Sequence, residues 1–140
     1  MTRLVVDSSV VIKWSVPEVH SADALRYLDP DLERDAPELL LAEVSNILWK
    51  KVGRNELTTE RAERIAADVG QADVTIHPMG PMFGRALQIA LESRRSAYDS
   101  LYLALAEALS SRVVTADRRL YNALQNGPFA GLILWVEDGP

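Results

Sequence analysis

Asp7, Glu43, Asp99 and Asp117 are the residues of this 140-residue chain best placed to do chemistry. Asp7 closes the apolar run Leu4-Val5-Val6, and Asp117 stands two residues past Thr115, which closes Val113-Val114. In open α/β sheets ligands bind beyond the carboxyl ends of the strands, so two independent segments bring a carboxylate to one sheet edge. Glu43 stands about 40° from Ile47 on a helical stripe made by Leu40, Val44, Ile47 and Leu48. A charge at the border of an apolar face needs water, a partner or a cation. Asp99 falls in the first turn of a helix that is apolar on nearly every face. There is no cysteine, and the two histidines, His20 and His77, lie apart from these acids. A thiolate site and a histidine base are thereby set aside. Carboxylates alone suit a hard divalent cation, which takes oxygen ligands and keeps several waters. Brought together without one, four carboxylates would raise one another's pKa.

Each acid also has a purely structural use. Asp7 and Asp117 suit N-caps after strands, and Ser96-Ala97-Tyr98-Asp99 fits a capping box of the S-x-x-D form. Glu43 can reach water, with Lys50 or Lys51 a turn or two further on as company. Singly, none of the four decides between cap and ligand; their joint order carries the weight.

The elements that must position these residues follow from periodicity and turn residues. A strand is predicted over 4–6, a helix from Ser9 that stops before Pro17, and a helical stretch over 20–28. The acidic run 29–35 reads as a solvated turn leading into a short strand before Pro37. A helix over 38–52 stops at Gly53, and Thr58 or Thr59 caps the next, which runs to Val69. Residues 73–77 alternate as a strand. Helices follow over 82–93 and 98–109, joined at Arg94-Arg95-Ser96. A strand over 113–115, a helix over 117–124 and a last strand over 132–136 complete the order. Strands alternating with helices imply parallel pairing, so one α/β domain over 1–140, its sheet covered on both faces, is expected.

Composition bounds the function. A domain of this size buries a sizeable core without disulfides. The apolar run at the start is broken by Asp7, and no stretch approaches roughly 18 apolar residues, so a cytoplasmic protein outside the membrane is expected. A net charge of −5, from 15 basic and 20 acidic residues, argues against nucleic acid, because phosphate backbones call for an excess of Lys and Arg. If four of the 20 acids hold cations, the remaining 16 nearly balance the 15 bases, and the objection falls.

Four segments in this order and spacing resemble the PIN-domain nucleases, and within them the VapC-type toxins of bacterial toxin–antitoxin pairs. They are Val5-Val6-Asp7-Ser8-Ser9-Val10, Pro37-Glu38-Leu39-Leu40-Leu41-Ala42-Glu43-Val44-Ser45-Asn46, Tyr98-Asp99-Ser100-Leu101-Tyr102-Leu103-Ala104-Leu105-Ala106 and Val114-Thr115-Ala116-Asp117-Arg118-Arg119-Leu120. The resemblance spans residues 4–134, although 53–80 matches only in helical pattern. It puts the family's four acids on Asp7, Glu43, Asp99 and Asp117, and its hydroxyl positions on Ser9 and Thr115. It implies a three-layer α/β/α endoribonuclease using Mg²⁺ or Mn²⁺ and leaving a 5′-phosphate and a 3′-hydroxyl. It also implies a homodimer inhibited by a small antitoxin protein. On this reading Asp7, Glu43 and Asp99 hold the cation, Asp117 completes or orients that shell, and Ser9 and Thr115 hold carboxylates or waters by hydrogen bonds.

Three rivals are weighed. A haloacid-dehalogenase-type phosphatase needs a second Asp two residues after the first, where this chain has Ser9. A noncatalytic PIN-like interaction module would be marked by loss of an acid, and none of the four is missing. A DNA-directed nuclease of related fold would need duplex-clamping insertions, for which 140 residues leave little room. Arg94, Arg95, Arg118 and Arg119 flank two acid motifs and read either as phosphate contacts or as solvated helix-end charges. Trp14 and Trp49 are candidates for a dimer or antitoxin interface, where aromatics are enriched, or for the core.

Overall fold

Leu4, Val5 and Val6 are all buried, but toward opposite sides, because successive strand residues point to opposite faces. In a computed structural model, which describes residues 2–140, Leu4 and Val6 enter one core and Val5 another. They belong to β1 (Thr2–Val6), the middle strand of a five-stranded sheet of order β3-β2-β1-β4-β5. β2 is Leu32–Pro37, β3 Thr75–His77, β4 Val113–Thr115 and β5 Ile133–Trp135, and every pairing is parallel. Because β2 lies on one side of β1 and β4 on the other, a crevice opens at the carboxyl ends of β1 and β4.

Helices cover both faces. On one side α1 (Ser8–Val11), α2 (Ser21–Leu25), α3 (Leu39–Gly53) and α4 (Thr59–Gln71) send Val10, Ala24, Leu40, Val44 and Ile65 onto Leu4 and Val6. On the other, α5 (Phe83–Ser93), α6 (Ala97–Ala108) and α7 (Arg118–Leu124) send Ile89, Leu103, Leu105 and Leu120 onto Val5 and Val113. Residues 100–106 of α6 are all buried, and this is why that helix is apolar all round. The α/β/α layering is the expected one. No helix among the described residues is long and apolar enough to cross a membrane.

One segment departs from its pattern. The acidic run does not stay a solvated turn: β2 begins at Leu32, and Arg34 and Asp35 are buried within it. The burial is compensated by partners remote in sequence. Asp35 accepts from Arg3 Nε at 2.7 Å and lies 2.7 Å from His77 Nε2, while Arg34 donates to the carbonyls of Tyr27, Asp29 and Asp73. A smaller difference lies at the end of α3, which includes Gly53; the chain turns at Asn55, whose φ of 58° asparagine tolerates.

Candidate active site

β1 ends as Asp7 turns the chain into α1. The Asp7 Oδ1 caps that helix, accepting from Ser9 N at 2.9 Å, from Val10 N at 3.3 Å and from the Ser9 hydroxyl. All three bonds end on Oδ1, so Oδ2 stays outside the capping net. The Ser9 Oγ also accepts from Ala116 N at 2.9 Å and lies 3.3 Å from Thr115 Oγ1. Thr115 Oγ1 in turn accepts from Asp117 N at 3.0 Å, and Asp117 Oδ1 caps α7 by accepting from Arg119 N and Leu120 N. One hydrogen-bonded network thus stitches the ends of β1 and β4 together through Asp7, Ser9 and Thr115, with Asp117 joined through Thr115.

Glu43 and Asp99 arrive from opposite layers. Glu43, half-buried on α3, accepts from the Tyr102 hydroxyl of α6 at 2.6 Å. Asp99 lies one turn before Tyr102; its N–H donates to Ser96 Oγ, as a cap requires, but its carboxylate accepts from Arg95 Nη2 at 3.2 Å. The company expected for Glu43 is elsewhere: Lys51 pairs with Glu18 and Glu56.

Burial pushes the Asp7 carboxyl up to about 6, against the hydrogen bonds from Ser9, Thr115 and Val10, and the Glu43 charge pushes the same way. Burial likewise raises Glu43, against hydrogen bonds from Tyr102 and Ser8, with the Asp99 charge adding to it. Glu43 thus acts electrostatically on Asp7, and Asp99 on Glu43. Burial, with the Glu43 charge beside it, keeps Tyr102 a protonated donor. The donor set is all oxygen, and two of its carboxylates are penalised for being charged. A divalent cation would reverse that penalty, so the residues present fit one.

The four acids do not close on one point. Among the described residues, the group whose ligand atoms all lie within 4.8 Å of one another is His20, Asp23 and Glu137. That group is already engaged: Arg26 lies 3.5 Å from Asp23, and Trp135 Nε1 donates to Glu137 at 3.0 Å. Arg118, read from sequence as a possible phosphate contact, stacks over the Trp135 ring at 3.8 Å. Arg95 is held by Asp99, whereas Arg94 and Arg119 are exposed. Neither Tyr102 nor Ser8 is assigned a role by the sequence reading. For Tyr102 a signal exists, since residues three apart on a helix share a face with Asp99. Trp14 is half-buried and donates to the Ala24 carbonyl, but Trp49 is 72% exposed.

A family model described as the PIN domain matches residues 4–124. The curated protein Ribonuclease VapC3 of Pyrobaculum aerophilum is 31% identical over 120 residues, covering 84% of this chain and 92% of that protein. A crystal structure of a protein from the same organism has a TM-score of 0.70 at 24% identity, covering 97% of this chain and 85% of that one. A toxin–antitoxin complex from Klebsiella pneumoniae has a TM-score of 0.67 at 14% identity, covering 94% of this chain and 95% of that one. At those identities the two structures speak for the fold alone.

Proposed function

This chain belongs to the PIN-domain family and to its VapC-type ribonucleases, and from that premise we propose that its acidic crevice hydrolyses RNA with Mg²⁺ or Mn²⁺. A toxin endoribonuclease is the activity that membership carries. What supports the metal chemistry above all is the state of Asp7: 6% exposed, pushed up to about 6, and beside the Glu43 charge. A carboxylate costs free energy there unless a cation shares the crevice.

Asp7, Glu43 and Asp99 would hold the ion, with Asp117 completing or orienting that shell. When bound, it would supply Lewis acidity and a water of lowered pKa. The rest falls to the chain itself. Ser9 fixes one Asp7 oxygen, and Thr115 ties the Ser9 hydroxyl to β4. Tyr102 orients the Glu43 carboxylate, and Arg95 pairs with Asp99. Water adds across the P–O3′ bond, leaving a 5′-phosphate on one fragment and a 3′-hydroxyl on the other. The test is cleavage of RNA by purified protein with Mn²⁺ or Mg²⁺, with and without EDTA. Asp7→Asn and Asp99→Asn should each abolish it with little change in fold; wild-type rates in either would sink the assignment.

The noncatalytic alternative finds no support in a lost acid. The expected partners have surfaces to suit them. Phe83, Leu87 and Leu91 recur at i, i+4 and i+8 on the outer face of α5, at 70%, 53% and 75% exposure, and a second copy of the chain would cover them. Trp49 borders an apolar groove of about 380 Å³ between α3 and α4, lined by Leu48, Val52 and Ala62, which suits an antitoxin segment. Acting on RNA, the protein would work in the cytoplasm.

A further inference from the structure

The chain has only three lysines, and all three line one cleft. Lys13, Lys50 and Lys51, with Arg54, border a space of about 330 Å³ whose other walls are Ser9, Ile12, Glu18 and Ile47. Ser9 is the residue whose hydroxyl fixes Asp7, so the cleft opens directly beside the acidic crevice. Along α3 the same face runs from Glu43 through Ile47 and Lys50 to Arg54, a climb of about 16 Å at 1.5 Å per residue.

We propose that this lysine cleft carries the phosphodiester backbone of the RNA substrate adjoining the bond to be cut. The inference rests on the ribonuclease reading and names the surface that lets a chain of net charge −5 hold a polyanion. Elsewhere every basic residue is an arginine, and several are committed: Arg3 to Asp35, Arg34 to backbone carbonyls, Arg85 to Glu107, Arg95 to Asp99 and Arg118 to Trp135. Lysine is a compact point charge on a flexible stem, suited to a phosphate backbone read without base specificity.

The cleft already binds an anion. The Glu18 carboxylate accepts from Lys51 Nζ at 2.9 Å and from Lys13 Nζ at 3.4 Å. Burial pushes Glu18 up, but the two lysines outweigh it and hold its carboxyl below the ordinary value. Two ammonium groups are thereby held in place on the floor of the cleft, their side chains only 14% and 15% exposed. Lys50 and Arg54 are exposed at its rim and form no ion pair among the described residues. Four cations against two carboxylates, Glu18 and Glu56, leave the cleft cationic, and Ser9 joins it to the acids.

The experiment compares wild type, Lys50→Gln/Arg54→Gln and Lys50→Arg/Arg54→Lys. Affinity for a fluorescein-labelled single-stranded RNA is measured in EDTA across a salt series, and cleavage of the same RNA in Mn²⁺. For single strands the slope of log K against log salt changes by about 0.7 per phosphate contact. The neutral double variant should therefore lose about 1.4 in slope and bind about tenfold more weakly near 0.15 M salt. Its KM should rise by a similar factor with kcat little changed, and the charge-preserving variant should restore both. RNA should also protect Lys50 from acylation by an amine-reactive reagent, read by mass spectrometry. If wild type cuts RNA but the neutral variant keeps its slope and KM, the cleft assignment is overturned and the ribonuclease reading stands. If wild type binds RNA through the cleft yet does not cut it, the ribonuclease reading fails instead. Wild type that cuts RNA in Mn²⁺ without binding it in EDTA overturns the cleft alone, and wild type that does neither overturns both.

Discussion

Replacing Asp7 by Asn should stabilise the metal-free protein at neutral pH, and the gain should disappear in acid. An ordinary Asp titrates near 3.8, whereas burial, with the Glu43 charge adding to it, pushes Asp7 up to about 6. The folded chain therefore holds this proton more tightly than the unfolded one. Below about 3.8 both states are protonated and nothing is lost; above about 6 both are ionised and the folded state bears the full penalty. A shift of about two units at about 1.4 kcal/mol each makes about 3 kcal/mol at pH 7, and roughly half of it is gone by pH 5. Asp7 is buried, so solvent screening takes little from that figure. Asn keeps an Oδ1 to accept from Ser9 and Val10, so the cap on α1 survives. In a domain of this length the gain amounts to a rise in Tm of roughly 10 °C. Mn²⁺ at about 100 times its Kd should add about 2.7 kcal/mol to wild type and much less to the variant. The assay is urea denaturation of both proteins in EDTA between about pH 5 and about pH 8, repeated at neutral pH with Mn²⁺. The quantity to follow is the difference between the two proteins, because Asp35, Glu18 and Glu107 are held below their ordinary values and pull the opposite way in both. A difference that does not change with pH, or a variant less stable at neutral pH, would refute the reasoning.

Asp35→Asn should cost about 2 kcal/mol in urea denaturation: removing one partner of a buried pair costs about 3–5, less what the half-exposed Arg3 and His77 regain from water. Burial raises Asp35 but Arg3 and His77 outweigh it, so this stability is present above about 3.8 and lost as pH falls through the lower folded value. Tyr102→Phe takes the donor from Glu43 and should raise the Mn²⁺ concentration for half-maximal cleavage by about 10–100-fold. For assembly, Leu87→Arg should leave a monomer by analytical ultracentrifugation. Trp49→Ala should weaken antitoxin binding, measured calorimetrically, by about 2 kcal/mol or more.

What can be read in the sequence is what leaves a local period. Apolar runs mark β1 and β4, and an acid directly after such a run has to sit on the sheet edge, so the positions of Asp7 and Asp117 are legible. The helical stripe around Glu43 is legible for the same reason. Pairings between elements leave no period. Asp35 finds Arg3 and His77 at separations of 32 and 42 residues, so β2 reads as a polar turn until its partners are known. Glu43 finds Tyr102 across 59 residues and two layers. The lysine cleft is illegible too: Lys13 lies just past α1 and Lys51 on α3, and the fold brings both onto Glu18.

The structural and chemical uses of the sheet-edge acids, which compete when the residues are read singly, are compatible in three dimensions. A carboxylate has two oxygens, and a helix cap engages one. Asp7 spends Oδ1 on Ser9 and Val10, and Asp117 spends Oδ1 on Arg119 and Leu120. Each cap fixes the rotation of its carboxyl group and so holds the second oxygen in a set direction, which is what a metal ligand needs in order to bind without losing further side-chain freedom. The cap also anchors the acid to the start of a helix packed against the sheet, through Val10 under α1 and Leu120 under α7. Glu43 and Asp99 lack such backbone anchoring: they are held by side chains alone, Glu43 by Tyr102 and Asp99 by Arg95. The two kinds of acid should therefore differ in how much they move. In the proposed metal site the capped pair would form a fixed edge, and the helix-borne pair would supply the adjustment that lets four acids share one ion.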